Sequence, residues 1–255
     1  MRGLKGTVTV IAGGGSGIGA ATAQRLAEEG CHVLVGDINA DKAKEVADAI
    51  TANGGSASAC EFDISNEDSC AELMQTAVRT FGRLDGLFNV AADLSPNTFG
   101  RDGDILDIPV EVWRRSLDVN LTGYFYTSRH ALPHMVANGR GSIVNTISGL
   151  VLFGDPAHAG YGASKAGSIA LTKHIASRWG RDGVRCNLVA PGFIMTERGE
   201  EIIPAEQRAA LADMLRSHRF GRPEDVAAMV AFLLSSDGEW INGQLHVVNG
   251  GTGLR

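Results

Sequence analysis

The chain has 255 residues, 44% apolar and 20% charged, a balance that suits a globular protein and excludes a wholly disordered one. Its 23 Lys and Arg against 29 Asp and Glu give a net charge of −6 with no basic run, which excludes a nucleic-acid or anionic-membrane surface as the expected partner. Thirty-three glycines without a Gly-X-Y period, beside only 7 prolines, exclude collagen and point to turns and close backbone approaches.

Along the chain, apolar strand-like runs alternate with longer helical patterns. The first strand is expected at Thr7–Ala12 and the first helix at Gly17–Glu29, with Ile18, Ala21 and Leu26 inward. A second strand at His32–Asp37 leads to a helix at Asp41–Ala52. A third at Ser58–Asp63 leads to a helix at Asn66–Phe81, capped by Ser65 or Asn66. A fourth strand spans Leu84–Ala91. After a polar loop from Asp93 to Pro109, a long helix is expected at Val110–Ala137, kinked or broken at Pro133. The fifth strand is Ser142–Ser148, followed by a helix at Gly160–Trp179. The sixth is Val184–Ala190 and the seventh Leu245–Asn249.

Strands apolar on both faces and separated by helices imply a parallel sheet covered on each side. Right-handed crossovers make it doubly wound, an α/β Rossmann-like domain over residues 1–255 with seven parallel strands and helices on both faces. The stretch of about 192–218, where Met195 mixes with Glu197, Arg198, Glu200 and Glu201, follows a strand's carboxyl end and is expected to be a substrate lid. No apolar stretch approaches the roughly 18 residues of a membrane span. The opening Met1-Arg-Gly-Leu-Lys-Gly6 enters strand-like sequence, so no signal peptide and a cytoplasmic location are expected. Cys31, Cys60, Cys70 and Cys186 lack CxxC or zinc-ligand spacing, and His130, His134, His174 and His246 are scattered, so no metal is expected.

Two constellations carry chemistry. Ala12-Gly-Gly-Gly-Ser-Gly-Ile-Gly19 lies between the first strand and first helix, where a turn without Cβ atoms and a helix N-terminus together accept a diphosphate. Two registers fit: Gly15-x-Gly17-x-x-Ala20, or Gly13, Gly17 and Gly19. Asp37 ends the second strand about 20 residues further on, where a carboxylate accepts hydrogen bonds from the adenosine ribose and repels a 2′-phosphate. NAD(H) is therefore favoured over NADP(H). Asp63, expected to end the third strand, suits either the adenine amino group or a helix cap. The second constellation is Tyr161-Gly-Ala-Ser-Lys165, whose first and last side chains share one helix face. An ammonium beside a phenol stabilises the phenolate and lowers its pKa. Ser148, at the end of the fifth strand, presents its hydroxyl to the same edge of the sheet.

With these residues in place, the chain resembles the short-chain dehydrogenase/reductase family, in its shorter single-domain branch, from Thr7 to Gly251. The glycine motif is similar to the family's TGxxxGxG, with Ala12 in place of Thr. The resemblance implies cofactor contacts at Gly13, Ser16, Gly17, Ile18 and Gly19, at Asp37, at the Asp63-Ile64 pair and at Asn89 of Asn89-Val-Ala-Ala92. The segment Pro191-Gly192-Phe-Ile194-Met-Thr196 resembles the family's PGxxxT, which implies contacts at Pro191, Gly192, Ile194 and Thr196. Gly221-Arg-Pro-Glu-Asp225, Asn242-Gly-Gln244 and Asn249-Gly-Gly251 are similar to its C-terminal pattern. The implied catalytic set is Asn120, Ser148, Tyr161 and Lys165. Tyr161 is acid and base, Ser148 holds the substrate oxygen, and Lys165 holds the nicotinamide ribose and depresses the Tyr161 pKa. Asn120 positions a relay water.

The expected function is an NAD-dependent oxidoreductase on a secondary alcohol or its ketone. Apolar Leu150, Val151, Leu152, Phe193 and Met195 flank the site and favour a hydrophobic alicyclic, steroid-like or aromatic substrate. His158 either lines that pocket with Leu150 and Met195 or is a loop residue without a chemical task. The alternatives are a 3-oxoacyl-thioester reductase, against which Asp37 and the acidic lid argue, and a non-catalytic nucleotide-binding protein, which predicts damage to a set that is intact. The family resemblance also implies a homotetramer, with helices 110–137 and 160–179 pairing across a two-fold axis.

Overall fold

Val8–Ala12 is apolar or Thr at every position and buried at every position, which only a strand covered on both faces allows. Val8, Val10 and Ala12 join one core while Ile11 faces the other, the alternation of a strand. The computed structural model describes residues 1–196 and 205–253. The strand just described, β1, joins β2 (His32–Asp37), β3 (Ser56–Glu61), β4 (Gly86–Asn89), β5 (Gly141–Thr146), β6 (Val184–Pro191) and β7 (Leu245–Val248) in one sheet. Its order is β3-β2-β1-β4-β5-β6-β7, and every pairing is parallel.

Helices cover both faces. On one side α1 (Gly17–Glu28) and α2 (Ala40–Ala52) pack around Leu26, Val33, Val35 and Ile50. On the other, α3 (Glu67–Phe81), α4 (Val110–Leu117) and α5 (Gly123–Ala137) follow in sequence, with Leu73, Met74, Tyr124 and Met135 in the core. A single turn α6 (Leu150–Phe153), the long α7 (Ala159–Trp179), α8 (Ala205–Met214) and α9 (Pro223–Leu234) complete the described helices. The chain reverses its winding at β1, whose neighbours are β2 and β4, so a crevice opens at the carboxyl ends of those strands.

Three expectations are corrected. The helix expected over 110–137 is not broken at Pro133 but at Asp118–Thr122, a π-helical turn between α4 and α5. Pro133 sits on the exposed face of α5, which runs through it to Ala137. At the real break Gly123 lies against Ile64: a Cβ there would stand 2.8 Å from the Ile64 carbonyl oxygen. Such π turns gather at functional sites, and Asn120 lies in this one. The second correction is that β3 and β5 end two residues early, so Asp63 and Ser148 sit in the loops beyond the strands. In its loop Asp63 turns back to accept from the Ser65 N–H (2.8 Å) and hydroxyl (2.6 Å), a local competitor to continued pairing. Third, β4 is shorter than expected because only Thr9–Ala12 of β1 is opposite it. Of the lid expected at 192–218, Glu197, Arg198, Glu200 and Glu201 lie outside the described residues.

Candidate active site

The β1–α1 turn is built around glycines that cannot be replaced. A Cβ on Gly13 (φ +101°) would stand 2.5 Å from the Ala91 nitrogen, and one on Gly19 would stand 2.0 Å from the Gly13 carbonyl oxygen. The Gly13 and Gly14 amides donate to the Gly36 carbonyl (2.8 and 2.9 Å), tying the turn to β2. Asn39 and Asn66 accept hydrogen bonds as side-chain caps at α2 and α3, each followed by acidic residues in the first turn. Ser16 makes no such bond at α1, whose first turn has no acid. The α1 N-terminus thus keeps its partial positive charge and amides for an anion. Ser16 is exposed and Ile18 half-buried at its mouth.

Asp37 closes this turn from β2: its carboxylate accepts from the Gly15 N–H (2.9 Å) and the Asn39 N–H (3.0 Å). A Cβ on Gly17 would lie 3.3 Å from the Thr196 methyl carbon, which brings the start of the expected lid over α1. Gly192 donates to the Val248 carbonyl and Met195 to Gly221, whose own amide donates to Phe193. Ile194 bridges to Gly221. Pro191 and Gly192 are therefore pinned at the end of β6. Ile64 is buried in the core. Asn89 is fully buried and its side chain is engaged internally: it donates to Asn145 (2.8 Å) and accepts from Thr127 (2.8 Å). Its side chain thus braces β4 against β5 and α5. These features fit a dinucleotide: a cradle with no room for side chains, an uncapped helix N-terminus and a carboxylate at the end of β2.

The expected catalytic side chains come from the loop after β5 (Ser148), from α7 (Tyr161 and Lys165) and from the π-helical turn (Asn120). Lys165 is 1% exposed, and its ammonium donates to the Tyr124 hydroxyl (2.9 Å) and the Thr146 carbonyl (3.0 Å). Its nitrogen lies 5.7 Å from the centre of the Tyr161 ring. Burial pushes the Tyr161 phenol up to about 12, against the Ser148 hydroxyl, which acts to lower it. Burial likewise pulls Lys165 down to about 7. An ammonium stripped of water is itself disfavoured, and its bonds run to Tyr124 and Thr146, so desolvation dominates both groups. The Asn120 carboxamide oxygen accepts from the Asp93 N–H (3.1 Å), while its buried NH2 has no partner among the described residues. A buried amide in that state is a place for a polar ligand or water.

Four positions in this site carry no signal that sequence reasoning registered. Asp102, 3% exposed, accepts from the Gly160 N–H (2.9 Å) and the Tyr161 N–H (2.7 Å), and so caps α7 from a distant loop. Phe99 stacks on His158 (4.1 Å between centres) and meets the Tyr161 ring edge-on at 5.2 Å. Arg115 joins Asp93 (3.0 Å) to Ser65 (3.0 Å). Tyr124 is the fourth. All four depend on loop or helix contacts far apart in the chain, although Asp102 lies in the one long polar loop, where a functional segment is expected. His158 takes the left-handed conformation (φ 56°) and its Nδ1 pairs with Asp155 at 2.7 Å. Leu150 and His158 line a groove of about 270 Å³ along α6 and α7, whose walls do not include Tyr161 or Ser148. Among the described residues no cluster of three or more His, Cys, Asp or Glu could hold a metal, and no helix is long and apolar enough to cross a membrane.

Comparison with known proteins agrees with this geometry. A protein-family model described as Enoyl-(Acyl carrier protein) reductase matches residues 12–253. A probable short-chain type dehydrogenase/reductase of Bradyrhizobium diazoefficiens is 42% identical, over 98% of this chain and 89% of its own. The cyclohexanol dehydrogenase of an Acinetobacter species is 40% identical, over 95% of this chain and 93% of its own. Among solved structures, a 7α-hydroxysteroid dehydrogenase complexed with NADH and 7-oxo glycochenodeoxycholic acid superposes with a TM-score of 0.90. It is 33% identical, with 98% of this chain and 95% of that chain covered. A glycine turn opening on an uncapped helix, a Ser-Tyr-Lys set brought together by the loop after β5 and by α7, and full-length similarity all lead to one conclusion: the chain belongs to the short-chain dehydrogenase/reductase family of oxidoreductases.

Proposed function

We propose that the protein interconverts a secondary alcohol and a ketone, with NAD(H) as cofactor and Tyr161 as acid and base. The observation that carries this reading is the packed line Gly13–Ala91–Tyr124–Lys165, which joins the glycine turn to the helix bearing Tyr161. When bound, the dinucleotide supplies the hydride acceptor, or the donor in the reverse direction. Gly13, Ser16, Gly17, Ile18 and Gly19 would hold its diphosphate, Asp37 its adenosine ribose, and Asp63 and Ile64 its adenine. The backbone at Asn89, with Pro191, Gly192, Ile194 and Thr196, would seat the nicotinamide half. Lys165 would hold the ribose next to it.

In the oxidising direction Tyr161, as phenolate, takes the proton from the substrate hydroxyl. Ser148 donates to the substrate oxygen as charge develops there. Asn120 holds a water that carries the proton on from Lys165. In the reducing direction the Tyr161 O–H donates, and its raised pKa suits that role at neutral pH. Asp37 supports NAD(H) over NADP(H), since no basic residue follows at Ile38 or Asn39 to meet a 2′-phosphate. The Phe99 ring, edge-on to Tyr161, supports a hydrophobic cyclic or aromatic substrate, with Leu150, His158 and Met195 proposed to line its outer end, and the alcohols named for the similar proteins are cyclic. The lid at 192–218, the single domain, a homotetramer and a cytoplasmic location belong to the same proposal. Wholly exposed Trp240 and half-exposed Val247, beside the β7 edge, support contact with a second copy.

A second reading, reduction of a 3-oxoacyl thioester, is favoured by 34% identity to a 3-oxoacyl-[acyl-carrier-protein] reductase of Thermotoga maritima and opposed by Asp37. A panel of cyclic secondary alcohols and an acyl thioester, followed by NADH absorbance, separates the two. Tyr161→Phe should reduce turnover by about 10²-fold or more, the scale of general acid–base catalysis, with NADH binding nearly intact. Normal turnover by that variant refutes the role of Tyr161.

A further inference from the structure

Tyr124 is fully buried in the same core cluster as Leu73 and Met74, where a phenylalanine would fill almost the same space. What its hydroxyl adds is a hydrogen-bond position. That oxygen accepts from the Lys165 ammonium at 2.9 Å and donates to the Ala91 carbonyl at 3.1 Å. Both directions are satisfied at once only while the phenol keeps its proton, and burial drives its ionisation well above the usual range. A buried ammonium has lost its hydration and needs acceptors in its place. Lys165 has two, the Tyr124 hydroxyl and the Thr146 carbonyl. Ala91 is also the residue against which Gly13 packs, so the same hydroxyl is anchored to the glycine turn.

We propose that Tyr124 is a positioning residue for Lys165: its hydroxyl fixes the side-chain nitrogen over β5 and favours the charged form. The remaining N–H of the ammonium is then left for the ribose and the relay water to share, a last step that rests on the function proposed above. Among the described residues, the titratable groups facing Lys165 are Tyr161 on its own helix and Tyr124 on α5, while β5 presents the uncharged Thr146 carbonyl. Tyr124 is thus the one neighbour that both accepts from the ammonium and can be altered without touching the backbone.

The test is made first on the cofactor-free protein, whose five lysines (Lys5, Lys42, Lys44, Lys165 and Lys173) allow a resolved NMR titration with lysine labelled at Cε. Lys165→Met identifies the signal. In Tyr124→Phe the Lys165 midpoint should fall by about one pH unit, the equivalent of one charge-assisted hydrogen bond. An unchanged midpoint overturns the proposal. Should that variant fail to fold, 3-fluorotyrosine at position 124 keeps the shape and weakens the acceptor. A smaller downward shift supports the proposal, and no shift overturns it. NADH affinity, read from its fluorescence, should weaken several-fold in Tyr124→Phe, and equal affinity at every pH overturns the positioning role. A Lys165 shift in a protein inactive on every alcohol would support the Tyr124 assignment while refuting the dehydrogenase reading.

Discussion

Removing the Asp102 carboxylate tests how the site is held. Its two oxygens accept from the Gly160 and Tyr161 amides at 2.9 and 2.7 Å, it is 3% exposed, and α7 has no side-chain cap of its own. A hydrogen bond to a charged group contributes about 1.5–3 kcal/mol. Asp102→Ala therefore removes roughly 3 kcal/mol or more and leaves two buried donors without a partner. For a chain of this size about 2–4 °C of melting temperature corresponds to each kcal/mol, so a fall of about 6–12 °C is expected. Asp102→Asn keeps one acceptor and should fall by about half as much. Because one of the lost bonds is made by Tyr161 itself, turnover should drop more than stability explains, by about 10²-fold for a displacement near 1 Å. Calorimetric melting and steady-state turnover, with both variants assayed well below their melting points, check this. A melting temperature within about 2 °C of the parent for Asp102→Ala would refute the capping argument.

Two further outcomes are expected. Lys165 is pulled down to about 7 by burial, against about 10.4 unfolded, so the unfolded chain binds the extra proton in between. Stability of the cofactor-free protein should then rise with pH from about 7 to 9, by at most about 1.4 kcal/mol per unit. Above about 9 the buried Cys70 and Cys186, both raised to about 12, act in the opposite sense, because the folded state keeps their protons. Chemical denaturation of Lys165→Met should lack the rise, and a rise equal to the parent's contradicts the assignment. Asp37→Ala combined with Ile38→Arg should reverse the cofactor preference. Equal kcat/KM with NAD and NADP in the unaltered protein would remove the basis for that preference.

The seven strands, their parallel pairing and the glycine turn were legible in the chain because each rests on local pattern. A strand buried on both faces reads as an apolar run, and a turn against a diphosphate reads as glycines between strand and helix. Tyr161 and Lys165 were legible for the same reason, being one helical turn apart. The break at Asp118–Thr122 was not, since no breaker residue marks it in the helical run, and its neighbour Gly123 packs on Ile64 from a distant segment. Pro133 misled because the local rule for proline weighs one helix turn alone, whereas the packing of α5 carries the helix through it to Ala137. Nor could local reasoning foresee the sense of the Tyr161 pKa. Charge proximity argued for a fall, while burial, a property of the whole molecule, produces the rise.

Sequence alone thus determined the alternation of strands and helices, the glycine turn and the one-turn spacing of Tyr161 and Lys165, through periodicity and local motif. Only the folded chain decided how they are held. Asp102, Phe99, Arg115 and Tyr124 reach the site from separate segments, and their contacts exist only once the sheet has brought those segments together. The reason is that backbone propensity and hydrophobic pattern act within about a dozen residues, whereas desolvation and hydrogen-bond satisfaction are fixed by whatever the chain places alongside.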